Sequence, residues 1–296
     1  PWLRYVKIYP SIASKFQLSG MEKGKTEKIK TGRGEIKGGV ARSIEIDASN
    51  FVYPDGTIYK NGFTKYVIKS STVVKTIKEK GKTIKVSSTE KRYELNKDIK
   101  RDIKTIDDLR KYSTKFATIM EYIRDNPNQC IFVYTHDIVQ YGGAILFGLL
   151  LSHILGHHKG SSTSAPTKEY RRYVTLTSLT ETTKRDADII RIFNTKDNNY
   201  GDIIQVVIGS KAISEGITLR HIRQIHILFP HWNMSALNQA IGRAIRINSH
   251  DDLQPSEQNV KIFMHAAVEG SDKYVSSKIT NDVDIYRIAE NKDHKD

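Results

Sequence analysis

Five short apolar segments, separated by polar or helix-forming stretches, place the strongest constraint on the fold. The clearest is Cys130–Tyr134, an unbroken apolar run of the kind that is buried on both faces of a parallel sheet. The other four segments are similarly short, are mostly apolar and cover residues 173–176, 203–208, 224–228 and 260–264. Segments of this kind joined by helical crossovers predict an α/β fold, a doubly wound parallel sheet, over residues 105–270.

Helical patterns fill the spaces between these segments. Thr105 and Asp108 have the spacing of a capping box, and apolar residues then keep helical spacing as far as Ile123. Further helices are predicted at about 139–155, at 181–193, after an N-cap at Asn233 or Ser235, and at 281–290. The last helix defines residues 271–296 as a C-terminal helical tail.

Residues 1–104 differ from the rest of the chain in charge and in pattern. The first 110 residues hold 25 Lys and Arg against 13 Asp and Glu, whereas the remaining residues hold 22 against 20. A concentrated basic excess favours a polyanionic partner such as nucleic acid, and a solubilising charged segment is the alternative. Alternating residues at 73–78 and 83–86 predict a hairpin, and the Lys-, Gly- and Glu-rich residues 21–39 predict flexible chain. We therefore predict a basic, β-rich or partly flexible insertion or linker before the sheet.

Cysteine content and hydropathy limit the class of protein. A single cysteine, Cys130, excludes an intrachain disulfide and is compatible with an intracellular location. The longest apolar run, 144–155, is too short to span a bilayer, so we expect no membrane partner. Because the first residue is Pro1, we expect a fragment of a longer product.

Two possible ligand sites lack the residues they would need. Residues 20–26 resemble a phosphate-binding loop but have three residues between the glycines rather than four, and no apolar strand precedes them. A metal site at His153, His157 and His158 has helical spacing but no Cys or carboxylate to complete it, so we predict no metal site.

Three loops follow predicted strands at the edge where parallel sheets bind ligands. They begin at Thr135, at Gly209-Ser210-Lys211 and at Pro230. Small side chains and hydroxyl groups there, together with Gly216 and Thr218, would allow the backbone of a nucleic acid to come close. Turn and capping chemistry would explain Thr135 and Ser210 equally well. Trp232 in the third loop could stack on a base or pack within its loop.

A basic cluster follows the third loop. Gln239, Arg243 and Arg246 are spaced i,i+4 and i,i+3, which would place them on one face of a helix. Two adjacent guanidinium groups could clamp phosphate oxygens. A solvated basic helix face has the same spacing, and the spacing alone does not choose between them.

These residues together resemble a known family. Residues 208–219 resemble motif V of superfamily 2 helicases, residues 239–246 resemble motif VI, and residues 131–135 resemble motif IV. Their order is that of the second RecA-like domain. The sequence of motif VI is closer to the Swi/Snf branch than to DEAD-box RNA helicases, and segment 113–116 also resembles that branch. The resemblance is strongest to members from large DNA viruses, such as the poxvirus nucleoside triphosphatase I and the small subunit of the viral early transcription factor.

The resemblance implies roles for individual residues. Arg246 would be an arginine finger and Arg243 a second contact to the γ-phosphate, with Gln239 and Gly216 also near the nucleotide. Thr135, Gly209, Ser210 and Lys211 would contact nucleic acid. ATP and Mg²⁺ would be held mainly by the first RecA-like domain, whose phosphate loop and acidic box the sequence lacks, so the isolated chain is expected to be inactive. Glu215 and Thr218 depart from the DEAD-box pattern, and DEAD-box contacts are not carried over to them.

The resemblance also implies partners. They are nucleic acid (DNA rather than RNA), the first RecA-like domain and a viral RNA polymerase, in the host cytoplasm or the virion. We predict the C-terminal motor half of a nucleic-acid-dependent ATPase or helicase that acts in viral transcription. The alternative is a non-catalytic subunit of a transcription complex that keeps the motor fold.

Overall fold

A computed structural model of the chain describes residues 3–26, 39–79, 82–135, 143–160, 169–176, 184–210, 217–271, 274–275 and 280–293. The helices are α1 Lys15–Thr26, α2 Gly39–Asn50, α3 Tyr59–Tyr66, α4 Lys97–Asp102, α5 Ile106–Tyr112, α6 Thr114–Asp125, α7 Ala144–Leu155, α8 Lys184–Phe193, α9 Met234–Ala244 and α10 Asn281–Asp293. The strands are β1 Leu3–Ile12, β2 Val67–Glu79, β3 Lys82–Leu95, β4 Cys130–Tyr134, β5 His158–Lys159, β6 Arg172–Leu176, β7 Val206–Gly209, β8 Ile222–Ile227, β9 Asn259–Val268, β10 Gly270–Ser271 and β11 Tyr274–Val275.

Seven of these strands form one sheet in the order β1-β9-β8-β4-β7-β6-β5, and every neighbouring pair is parallel. Strand β4 lies at the centre and all five of its residues are buried. Ile131 and Val133 face one apolar core, and Cys130, Phe132 and Tyr134 face another on the opposite side. Helices cover both faces, which confirms the predicted doubly wound α/β fold.

A predicted helix and a predicted strand begin or end at other residues than expected, because short polar side chains form hydrogen bonds with the backbone there. The predicted helix from Thr105 to Ile123 is two helices, since Ser113 accepts a hydrogen bond from the Phe116 N–H and starts α6. The capping box at Thr105 is confirmed. Strand β7 begins later than predicted because Asn198 Oδ1 accepts from the N–H groups of residues 203 and 204, at 3.0 and 2.8 Å.

The first part of the chain is less separate from the sheet than its composition predicted. Strand β1 pairs with β9 over ten residues, a contact between the two ends of the sequence that no local pattern reveals. Residues 21–26, predicted to be flexible, belong to α1, where Met21 packs against Ala48 and Val52, so that prediction was wrong. Residues 27–38 lie outside the described part of the chain. The domain limits at 104 and 270 stay predictions.

The predicted hairpin is confirmed and is longer than expected. Strands β2 and β3 form a two-stranded sheet of their own, with Ile77 opposite Ile84. At its base, Val67 and Leu95 are buried in the core that also contains α7. The hairpin carries eight Lys and Arg against three Glu between residues 67 and 95.

A buried ion pair connects the C-terminal tail to the core. Lys115 on α6 contacts Asp282 on α10, and both side chains are fully buried. The Lys115 ammonium also donates to Ser49 Oγ at 3.1 Å and to Asn50 Oδ1 at 3.0 Å, so each of its three N–H bonds has an acceptor. Asp282 in turn accepts from the Ala267 N–H at 2.8 Å. Residues from three separate parts of the sequence therefore meet in one polar cluster.

Candidate nucleotide and nucleic-acid sites

The ends of β4 and β7 meet at the carboxyl edge of the sheet, as the sequence predicted. The Thr135 N–H donates to the Gly209 carbonyl at 2.9 Å, and the Ser210 N–H donates to the Leu176 carbonyl at 3.2 Å. Thr135, Gly209 and Ser210 therefore lie side by side. Lys211 and Gly216 lie outside the described residues, as do His136 and Asp137 of the first loop.

Burial changes what this edge presents to solvent. Thr135 is 0% exposed and Ser210 is 2% exposed, so neither side chain forms an open surface in this conformation. Trp232, in the loop after β8, is 42% exposed at the same edge. A nucleic-acid contact by Thr135 or Ser210 stays a prediction, and it would require these side chains to become accessible.

Helix α9 carries part of the basic cluster. Asn233 is its N-cap, because Asn233 Oδ1 accepts from the Ser235 N–H at 2.8 Å. Leu237, Ala240, Ile241 and Ala244 are buried against the sheet. The opposite face leaves Gln239 exposed and Arg243 partly buried.

The prediction that Arg246 shares this helix face was wrong. Helix α9 ends at Ala244, and Arg246 lies in the following turn. There the Arg246 N–H donates to Ser249 Oγ at 3.3 Å, so a serine side chain replaces the helical carbonyl acceptor. Outside the helix, the Arg246 guanidinium is exposed and Nη1 donates to Thr218 Oγ1 at 2.6 Å.

Arg243 and Arg246 lie at the edge of the sheet formed by the amino ends of the strands, whereas Ser210 lies at the edge formed by the carboxyl ends. Helix α9 follows β8 and returns along it, and its 11 residues span about 16 Å, close to the length of that strand. Thr218 lies four residues before β8, and the Leu219 N–H donates to the Arg243 carbonyl at 3.0 Å. The sequence grouped Thr218 with Ser210 at one phosphate-contacting edge, and the structure separates them because Ser210 follows the end of β7 whereas Thr218 precedes the start of β8.

Hydrogen bonds fix the turn that follows α9 and contains Arg246. Ser249 Oγ lies 2.7 Å from His250 Nδ1, and His250 Nε2 lies 2.6 Å from the Ile222 carbonyl. Burial lowers the pKa of His250, which favours the neutral ring. The Ile222 carbonyl can only accept, so Nε2 carries the proton and Nδ1 accepts from the serine hydroxyl.

A second contact closes the same turn. His221 Nε2 lies 3.0 Å from Asp252 Oδ2, and Arg220 Nη2 lies 3.2 Å from the same oxygen. The hydrogen bond from His221 lowers the pKa of Asp252, so this carboxylate stays charged. His221 and Asn248 both have left-handed backbone, with φ of 63° and 64°. No local sequence pattern indicates these contacts, since each joins segments about 30 residues apart.

The other candidate sites do not assemble. Residues 20–26 belong to α1. His153 contacts the Lys100 carbonyl at 3.3 Å, whereas His157 contacts Gln205 at 2.7 Å, so these two histidines point to different partners. Within the described ranges, no group of three or more His, Cys, Asp or Glu could hold a metal ion, and no helix is long and apolar enough to cross a membrane.

Comparison with known proteins agrees with this geometry. Residues 114–248 match the family model described as the helicase conserved C-terminal domain. Similar proteins include putative helicases of viruses and a helicase of a killer plasmid of Kluyveromyces lactis. Putative helicase 087L of Invertebrate iridescent virus 3 is 30% identical over 249 residues, which cover 83% of this chain and 23% of that protein.

Two further comparisons extend this result. The termination factor NPH-I homolog of African swine fever virus is 35% identical over 105 residues, 36% of this chain and 15% of that protein. The chain spans less than a quarter of the length of either viral relative. A solved structure, the C-terminal part of the Fun30 ATPase domain, aligns with a TM-score of 0.51 at 14% identity and covers 98% of this chain and 88% of that chain, which shows a shared fold.

Proposed function

We propose that this chain is the C-terminal motor half of a nucleic-acid-dependent ATPase of a large DNA virus, a helicase or translocase that acts in transcription. The observation that carries the proposal is the placement of Arg243 and Arg246 beside the Thr218 segment, inside a helicase C-terminal domain. The viral relative named as a termination factor supports the role in transcription.

In this proposal the two arginines act on a nucleotide bound mainly by another RecA-like domain. Arg246 is exposed and always charged, so it can approach a γ-phosphate presented from outside the chain. A guanidinium at that position stabilises the charge that develops during phosphoryl transfer. Arg243 and Gln239 would complete the contact. The described residues fit phosphate oxygens but offer no cluster of carboxylates for Mg²⁺, which would be held by the other domain.

The test uses a polypeptide that joins this chain to a nucleotide-binding domain, assayed for ATP hydrolysis with saturating DNA. Arg246→Ala is expected to reduce turnover by about 1,000-fold or more, the range for loss of an arginine finger. Arg191→Ala on α8, an arginine that is also exposed, is the matched control and should retain turnover. Near-normal turnover of Arg246→Ala would remove Arg246 from this role. The chain alone is expected to show negligible turnover, and robust hydrolysis by it would contradict the division of the site between two domains.

Nucleic acid is the proposed second ligand, with DNA favoured over RNA. The β2–β3 hairpin holds a net excess of five positive charges, which suits a phosphate backbone. Deletion of residues 1–104 would not test this, because it removes a strand of the main sheet. Replacement of Lys75, Lys78 and Lys85 by Gln leaves that strand in place.

The measurement is a filter-binding salt titration with duplex DNA and with RNA of the same sequence. Loss of three phosphate contacts should reduce the slope of log K against log salt by up to about 3. A control with Lys196, Lys261 and Lys292 replaced by Gln makes the same charge change at exposed positions elsewhere. Equal slopes for the two triple variants would show that the hairpin only contributes charge for solubility.

The alternative is a non-catalytic subunit of a transcription complex that keeps this fold. It predicts nucleic-acid binding without hydrolysis, even when the chain is joined to a nucleotide-binding domain. The same ATPase assay therefore separates the two functions.

A further inference from the structure

The turn that carries Arg246 is held by three polar side chains to which the motif resemblance assigns no role. Thr218 accepts from the Arg246 guanidinium, and Ser249 accepts from the Arg246 N–H. His250 lies behind Ser249 and anchors it to the first residue of β8. The contacts thus run from the arginine head and backbone to the edge of the sheet.

These contacts restrict the conformations of Arg246 as well as stabilising the turn. An arginine in an exposed turn has many rotamers, and each must be lost before its guanidinium can meet a phosphate. The hydrogen bonds restrict the backbone at residues 246–249 and hold the guanidinium against Thr218 Oγ1. Part of the conformational entropy that phosphate binding would cost is therefore lost before the phosphate arrives. The Thr218 hydroxyl is uncharged, so a phosphate can displace it from the guanidinium without competition from a carboxylate.

We propose that Thr218, Ser249 and His250 are positioning residues that hold Arg246 ready for the nucleotide. Ser249 and His250 set the path of the turn, since the serine hydroxyl donates to the ring and accepts from the arginine N–H. Thr218 sets the direction of the guanidinium. The inference rests on the proposed function for its catalytic consequence, but the ordering of Arg246 is a property of this chain alone.

The first experiment measures that ordering directly in the isolated chain. The side-chain Nε–Hε signal of Arg246 is assigned by its disappearance in Arg246→Lys, and its heteronuclear NOE reports motion of the guanidinium. Thr218→Val has nearly the same shape without the hydroxyl, and Thr218→Ser restores the oxygen. We expect the NOE to fall in Thr218→Val and in Ser249→Ala and to stay near the wild-type value in Thr218→Ser. Equal values in all four proteins would overturn the proposal.

The second experiment links ordering to turnover in the polypeptide that includes a nucleotide-binding domain. Thr218→Val is expected to lower kcat by about threefold to tenfold, the worth of one hydrogen bond, with little change in KM and in thermal stability. In an Arg246→Ala background the same substitution should have no further effect, because its target is gone. His250→Gln, which keeps a donor for the Ile222 carbonyl, should retain more activity than His250→Ala.

The outcomes separate the two proposals. Normal turnover in Arg246→Ala would mean that the finger assignment fails, whatever the NMR result. A large loss in Arg246→Ala with normal kcat in both Thr218→Val and Ser249→Ala would leave the finger intact and reject the positioning role. Equal losses from Thr218→Val in both backgrounds would also reject it, since the effect would not pass through Arg246.

Discussion

The fully buried ammonium group of Lys115 gives the sharpest test of how the tail is attached. In Lys115→Met, the Asp282 carboxylate would keep hydrogen bonds from the Ala267 N–H and Ser49 Oγ but would lose its counter-ion. Removing one partner of a buried ion pair costs about 3–5 kcal/mol. Asn50 Oδ1 would lose its donor as well, so we expect a loss of about 4 kcal/mol in the free energy of unfolding.

Urea unfolding followed by circular dichroism measures this loss. With a urea dependence of about 3 kcal/mol per M, the midpoint should fall by roughly 1 M. Lys111→Met on α5 is the control, because Lys111 is exposed and its ion pair with Asp108 is a surface contact, so its midpoint should not move measurably.

A second variant tests the reasoning behind the magnitude. Adding Asp282→Asn to Lys115→Met removes the stranded charge while the amide oxygen can still accept from Ala267. The double variant should therefore be more stable than Lys115→Met alone. If both Lys variants shifted the midpoint equally, or if the double variant were the least stable protein, the idea of an uncompensated buried charge would be refuted.

Two other predictions concern stability. Burial lowers the pKa of His226 to about 3 from 6.5, so the unfolded chain binds a proton that the folded chain does not. The stability that comes from keeping His226 neutral is complete above about pH 6.5 and is lost as the pH falls towards 3, by up to about 1.4 kcal/mol per pH unit. Between pH 7 and pH 5, the urea midpoint should therefore fall less in His226→Gln than in the wild-type protein. Gly62→Ala should destabilise by about 1–3 kcal/mol, because the new Cβ would lie 2.0 Å from the buried Tyr53 ring, whereas Gly242→Ala on α9 meets nothing within 4 Å and should stabilise by about 1 kcal/mol. Thermal unfolding that moved both glycine variants in the same direction would contradict this pair.

The central part of the fold was predictable because its signals are local. The apolar run at Cys130–Tyr134 and the capping box at Thr105 each follow from residues within a few positions of one another. The hairpin between β2 and β3 follows in the same way from alternation around a turn. Pairing of β1 with β9 was not predictable, since it joins the ends of the chain and neither segment encodes the identity of its neighbour.

The candidate sites show the same division. The spacing of Gln239 and Arg243 correctly indicates one helix, but the helix ends before Arg246 because Ser249 offers a competing acceptor. The placement of the two arginines at the amino edge depends on how far α9 runs back along the sheet. Motif order alone does not contain that length, so the separation of the two arginines from Ser210 appears only in three dimensions.

Single-turnover hydrolysis, measured beside nucleotide affinity, tests the central claim most directly. In a polypeptide that joins this chain to a nucleotide-binding domain, Arg246→Ala is predicted to slow the chemical step by about 1,000-fold or more while the Kd for ATP changes little, because a finger acts in the transition state. Arg246→Lys should recover only part of the rate, since it keeps the charge but loses the planar fork. A rate within about threefold of wild type in Arg246→Ala, or a loss that appears wholly in Kd, would contradict the account.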